Sequence, residues 1–383
     1  MTATIRQAAG SLLVVGLEGV ELTSLERAWL KLLRPAGVIL FRRNISDAKQ
    51  TRGLLSDATA LCGVHSLRCV DVEGGTVDRL RDALAPMPSA QAVATASRTK
   101  GNAGLARQHG ELIARGVGAF GLNTTLAPVV DLALTASAQV MGTRSVSADA
   151  AGVVEYARGF LAGLSEHGIA GCAKHFPGLG GGALDSHFET PTIRRDWNDL
   201  WREDLEPYRE LRDELPMVMV NHAAYPATPG KERPASVSPF WITTVLRKRI
   251  GYRGLIFSDD LEMGVVLKYM PMEDVVVAAV RAGMDVMEIC HSPELILKGY
   301  EALITEAEKS AAFRKLLLAR ALECARKRKK LFGDGIPPAL TMRQIEALRG
   351  RILHFGEMVR RNESGDIAVA VRNSKQLSVV ETA

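Results

Sequence analysis

Short runs of aliphatic and β-branched residues alternate along the chain with longer segments whose apolar positions recur every three or four residues. These are the periods of a buried strand and of an amphipathic helix. SLLVVGL (11–17) reads as a strand. TSLERAWLKLLRPA follows as a helix, with Thr23 and Glu26 at capping-box spacing. GVILF (37–41) is the next strand, and a helix from Asp47 to Leu61 follows it. RCVDVEGG (68–75) is a strand ending in a glycine turn, and a helix of about 18 residues then runs to Gly118. AFGLNTTLAPVVDL carries the fourth strand, with its helix over Ala148–His167. GIAGCAKHF (168–176) is the fifth, followed by a long glycine-rich loop.

The second half repeats the scheme. WNDLWREDLEPYRELRD is a helix, and MVMVNHA (217–223) is the sixth strand. Ser238-Pro239 opens a helix as N-cap and first helical residue. GLIFSDDL (254–261) is the seventh strand, MEDVVVAAVRAG a helix, and DVMEIC (285–290) the eighth strand, closed by a helix from Pro293. Eight strand–helix units in series predict parallel strands, and eight strands close a barrel. The expected fold is an α/β, single-domain (β/α)8 TIM-type barrel over 1–335. Residues 336–383 form a C-terminal extension, expected on the outside of the barrel or in an oligomer contact. It is helical at first, and DIAVAVRNS (366–374) reads as a stray strand.

Composition narrows the class. With 47% hydrophobic residues the chain can bury a large core, and a net charge of +5 is too mild to argue for nucleic acid. The basic run Arg326–Lys330 reads as a solvated helix end rather than an anion patch. Cys62, Cys69, Cys172, Cys290 and Cys324 are scattered, without CxxC spacing, as expected of small core residues in a reducing compartment. No apolar run reaches the roughly 20 residues of a spanning helix, and the N-terminal run lacks a cleavage site. The expectation is a soluble cytoplasmic protein with no membrane partner.

In such a barrel the chemistry gathers at the carboxyl ends of the strands. There the sequence places Asp71, Glu73, Arg79, Asp131, Arg144, Lys174, His175, the loop residues Asp185 and His187, Asn221, His222, Asp259 and Asp260. Paired carboxylates and forked guanidinium donors suit the vicinal hydroxyls of a sugar. HExxH and HxH spacings are absent, and GLGGG (178–182) does not lead directly into a helix as a phosphate cradle would. No metal or cofactor is expected.

KHFPGLGGGALDSH (174–187) resembles the KHFPGHG…DSH signature of the β-N-acetylhexosaminidases of glycoside hydrolase family 3. VDVEGGTVDRL (70–80), LAPVVDL (126–132), MGTRS (141–145), IFSDDLEM (256–263) and AGVILFRRNI (36–45) resemble its other blocks, in order, over about residues 10–335. The resemblance implies a retaining enzyme without cofactor or metal. It implies Asp259 as nucleophile, and His187, oriented by Asp185, as general acid/base. It also implies Asp71, Arg79, Arg144, Lys174 and His175 as residues that hold a terminal N-acetylglucosamine. A muropeptide fragment from cell-wall recycling is the substrate it suggests. One departure is Leu179, where the family has His; it bears on the base of the loop rather than on the dyad.

Three other readings compete. A β-glucosidase or β-xylosidase of the same family takes its acid/base from a second domain, which the DSH loop replaces here. A phosphorylase would use the same residues with phosphate as acceptor. A sugar-binding protein without turnover would not need Asp259, Asp185 and His187 together. Asp260 reads as a turn cap, Glu73 as a buried turn acceptor, His222 as a supporting residue, and Gly74 and Gly75 as backbone requirements.

Overall fold

The computed structural model describes residues 4–182, 192–231, 233–333 and 335–380, excepting the side chains of Lys100 and of 362–380. Eight parallel strands close into a barrel, in the order β1 (Leu13–Gly16), β10 (Val286–Ile289), β9 (Leu255–Asp260), β8 (Met217–Val220), β7 (Ala170–Phe176), β6 (Thr124–Thr125), β3 (Leu67–Val70) and β2 (Gly37–Leu40). A separate antiparallel pair, β4 (Val72–Gly74) and β5 (Val77–Asp78), stands on the end of β3. Closure leaves the barrel itself without an unpaired edge strand. LVVG, GVIL and MVMV are buried at every position, because helices cover the outer face and side chains fill the lumen.

The capping box of Thr23 and Glu26 is present, and Asp47 caps its helix through Gln50. Four segments differ from expectation. A helix, Ile5–Gly10, precedes β1 with its own capping box, Thr4 and Gln7. A second helix, Ala90–Lys100, stands before Gly104–Ala119. Ser238 accepts the Ile242 amide through its carbonyl only, so the helix starts at Phe240 with wide π-type turns and no side-chain cap. Residues 366–374 are helical, inside Met342–Val380. A lone strand there would leave its backbone groups unpaired, whereas a helix satisfies them internally. That terminal helix packs on Ala90–Lys100 and Gly104–Ala119, burying Leu348, Ile352, Phe355 and Val359.

β6 is short because Pro128 offers no amide. Pairing resumes at a Val129–Lys174 bridge, which delivers Asp131 beside the end of β7. The basic run is only partly solvated. Lys327 donates to Asp285 Oδ2 at 2.9 Å, Arg328 to the Ala36 carbonyl at 2.7 Å, and Arg247 also pairs with Asp285, all at the amino end of the barrel. All five cysteines are buried and free. Among the described residues, no helix is long and apolar enough to cross a membrane.

Candidate active site

The mouth of the barrel is assembled around two buried ion networks. Asp71 follows β3 directly, and the β4–β5 hairpin then folds back so that the Arg79 amide donates to the Asp71 carbonyl at 3.1 Å. The hairpin needs Gly74 (φ +92) and Gly75 (φ +63); a Cβ on Gly74 would lie 2.1 Å from the Pro88 carbonyl oxygen. The Arg79 guanidinium comes within 4.0 Å of Asp71.

Glu73, on β4, is the hub of the first network. Arg144 grips it with both arms, Nε to Oε2 and Nη2 to Oε1, each at 2.8 Å. Lys174 Nζ lies 2.6 Å from Glu73 Oε1 and donates to Asp71 Oδ1 at 2.8 Å. Burial alone would keep Glu73 neutral, but Lys174 and Arg144 reverse that and hold its pKa down to about 2. Burial likewise works against charge on Lys174 and Arg144, and is overcome by Asp71 and Glu73 for the lysine and by Glu73 for the arginine, so both pKa values rise. The expectation of a turn acceptor at Glu73 is corrected: it anchors two of the expected substrate-binding cations.

His175 centres the second network. Its Nδ1 lies 2.6 Å from Asp131 Oδ2, which also accepts the His175 amide at 3.1 Å, while Nε2 faces Arg144 at 3.3 Å. Asp131 on one ring nitrogen and Arg144 beside the other fix the orientation of the ring. Asp131 Oδ1 accepts the Leu179 amide at 2.7 Å. The base of the following loop is thus fastened by a backbone group, a bond that does not depend on which side chain stands at 179, and the Leu179 side chain itself packs against the core.

Asp259, the last residue but one of β9, is half-buried on the wall of the mouth. Burial favours its neutral form, but His175, His222, the Asp260 amide and Lys174 together lower its pKa and keep it ionised. Its Oδ1 accepts the Asp260 amide at 2.9 Å; among the described residues Oδ2 has no hydrogen-bond partner. His222 is braced by Ser236 Oγ at 2.7 Å and the Asp260 carbonyl at 3.0 Å, which fits a supporting role. Asp260 accepts the Glu262 amide at 3.0 Å, the cap expected of it. Asp260, Glu262 and His291 bring ligand atoms within 4.8 Å of one another, but Arg43 lies 3.1 Å from His291 Nδ1 and opposes a cation there.

The structure therefore brings together Asp71, Arg79, Arg144, Lys174, His175 and Asp259. Asp185 and His187 lie outside the described residues. Sequence reasoning missed the roles of Glu73 and Asp131, and it missed Glu288, a buried carboxyl on β10. An acidic residue inside the apolar run DVMEIC was the available signal.

Residues 4–317 match the family described as glycosyl hydrolase family 3 N-terminal domain. A beta-hexosaminidase of Alkalilimnicola ehrlichii is 39% identical over 74% of this chain and 82% of its own length. One of Stenotrophomonas maltophilia is 35% identical over 81% and 92%. A glycoside hydrolase family 3 beta-N-acetylglucosaminidase from a Paenibacillus species superposes with a TM-score of 0.81 at 28% identity, over 92% of this chain and 69% of that one. NagZ from Neisseria gonorrhoeae, solved with N-trifluoroacetyl-D-glucosamine, gives 0.70 at 27% identity, over 82% and 98%. The chain belongs to glycosyl hydrolase family 3.

Proposed function

We propose that this chain is a retaining β-N-acetylhexosaminidase that removes terminal β-linked N-acetylglucosamine, with muropeptide fragments as its natural substrates. The observation that carries the reading is Asp259. It is a half-buried carboxylate at the carboxyl end of a barrel strand, kept ionised by its neighbours, with one oxygen left without a described partner. Attack by Oδ2 on C1 forms the glycosyl–Asp259 ester as the C1–O bond to the aglycone breaks. The departing oxygen keeps the electron pair and takes a proton from His187. Water then loses a proton to His187 and bonds to C1, and the ester's electron pair returns to Asp259. Asp185 holds the His187 ring in the tautomer this requires.

The remaining residues orient the sugar. Asp71 offers acceptors to vicinal hydroxyls, and Arg79, Arg144 and Lys174 offer donors. Because Glu73 already neutralises much of Arg144 and Lys174, the pair present fixed donors rather than a bare positive field, which suits an uncharged sugar. Release of 4-nitrophenol from its N-acetyl-β-glucosaminide and its β-glucoside, by wild type, Asp259→Asn and His187→Ala, tests the reading. Preference for the N-acetyl sugar and loss of several orders of magnitude in both variants are expected. Preference for the glucoside, or near-full activity of Asp259→Asn, overturns it.

A further inference from the structure

One buried carboxyl in the mouth takes no part in either ion network. Glu288 lies on β10, the strand next to Asp259, and is 2% exposed. Its backbone is pinned: the amide donates to Ser258 Oγ at 3.0 Å and the carbonyl accepts the Leu261 amide at 2.9 Å. The following residue, Ile289, packs on Gly299 of the outer helix Pro293–Lys309, so strand alternation turns Glu288 into the lumen.

The ionisable groups near enough to act on it are Asp71 after β3, Asp259 and its register partner Asp260 on β9, Lys174 on β7, and the buried thiols of Cys69, Cys172 and Cys290. Burial first, and then the three aspartates, raise its pKa well above the ordinary carboxyl range, and Lys174 only partly opposes them. Lys174 is committed elsewhere, to Asp71 and Glu73. Among the described residues, Glu288 Oε1 is buried with no hydrogen-bond partner. A neutral carboxyl has one O–H to donate. Around it, Asp71 is held by Lys174 on Oδ1 and faced by Arg79 on Oδ2. Asp260 is held by the Glu262 amide on Oδ1 and faced by His291 on Oδ2. Asp259 Oδ2 is the oxygen without a described partner.

We propose that Glu288 is a positioning residue for Asp259, a carboxylic acid that keeps its proton and turns its O–H toward the Asp259 carboxylate. The inference rests on the assignment of Asp259 as nucleophile. When the glycosyl ester is hydrolysed, Asp259 is the leaving group and regains its negative charge, and a donor beside it steadies that charge. Before attack, the same donor holds the carboxylate in one orientation. An ionised Glu288 would do neither, and would repel Asp259.

The test compares Glu288→Gln, which keeps a neutral donor, with Glu288→Leu, which removes it. On the nitrophenyl N-acetylglucosaminide, Glu288→Leu should lower kcat roughly tenfold, the worth of a hydrogen bond to a charged group. KM should fall with it, and a pre-steady-state burst should mark slow hydrolysis of the ester. Glu288→Gln should restore kcat to within about threefold of wild type. The infrared carbonyl band of a protonated carboxylic acid, present in wild type at neutral pH, should be missing in Glu288→Gln, a readout that needs no activity and survives if the leucine variant does not fold. A wild-type kcat in Glu288→Leu, equal loss in both variants, or no acid band to lose overturns the proposal. Inactivation of Asp259→Asn is measured alongside, so that failure of the nucleophile assignment is seen separately.

Discussion

Replacing Glu73 with Gln should loosen the whole mouth. Its carboxylate accepts two bonds from Arg144 and one ion pair from Lys174, at 2.6–2.8 Å, with 2% of the side chain exposed. The neighbours hold its pKa at about 2 against an ordinary 4.5, and that gap corresponds to roughly 3 kcal/mol. The folded-state pKa is depressed, so the contribution is fully present above about pH 4.5 and is lost as the pH falls through about 2. Glutamine removes the charge and points an amide donor at two cations. Breaking one side of a buried pair costs about 3–5 kcal/mol, the same order. With a urea slope of about 3 kcal/mol/M, the unfolding midpoint at neutral pH should fall by about 1 M. The difference from wild type should shrink in strong acid, where Glu73 is protonated in both the folded and the unfolded chain. In the same preparation, KM for the nitrophenyl N-acetylglucosaminide should rise, because Arg144 and Lys174 lose their common anchor. A wild-type midpoint at neutral pH would refute the reasoning, since it would mean the two cations find equal partners without Glu73.

Asp131→Asn removes the charged partner that orients the His175 ring, and kcat/KM should fall about 10- to 100-fold in the nitrophenol assay. Asp285→Asn breaks the cluster with Arg247 and Lys327 at the far end of the barrel. Urea unfolding should show a loss of about 3 kcal/mol, while kcat per folded molecule stays at the wild-type value. Asp204 is the opposite case: burial pushes its carboxyl up to about 7 despite Arg195, whose Nε is 2.9 Å away but poorly aligned for a hydrogen bond. A raised acid penalises the fold above its unfolded pKa, increasingly up to pH about 7. Asp204→Asn should therefore have a higher urea midpoint than wild type at about pH 8, and the gain should fade toward pH 4.

Much of this protein was legible along the chain. Eight apolar runs, each followed by an amphipathic segment, specify the strands and their parallel order, because burial on both faces demands continuous hydrophobicity. Capping at Thr23 and Asp47 is local chemistry, readable from residues three apart. The same holds for the glycines at 74 and 75. The polar residues of the mouth could be placed there because strand ends face one way in a barrel of this kind.

What tertiary structure alone decided is who pairs with whom. Arg144 and Glu73 are far apart in sequence, as are His175 and Asp131, and no spacing rule links them. Their partnership exists only because β6 lies between β3 and β7 in the barrel, although β4 and β5 stand between β3 and β6 in sequence. The basic run at 326–330 is ordinary as sequence, and only the fold shows that Lys327 and Arg328 reach into the barrel base. Glu288 makes the point most directly. One acidic letter in an apolar strand becomes a buried acid among three aspartates, because closure brings the ends of β3, β9 and β10 to one lumen. The sequence determined the elements and the side of the barrel on which chemistry sits, since both follow from local periodicity. Which charges neutralise one another, and which carboxyl keeps its proton, depends on distance and burial, and those exist only once the chain has closed on itself.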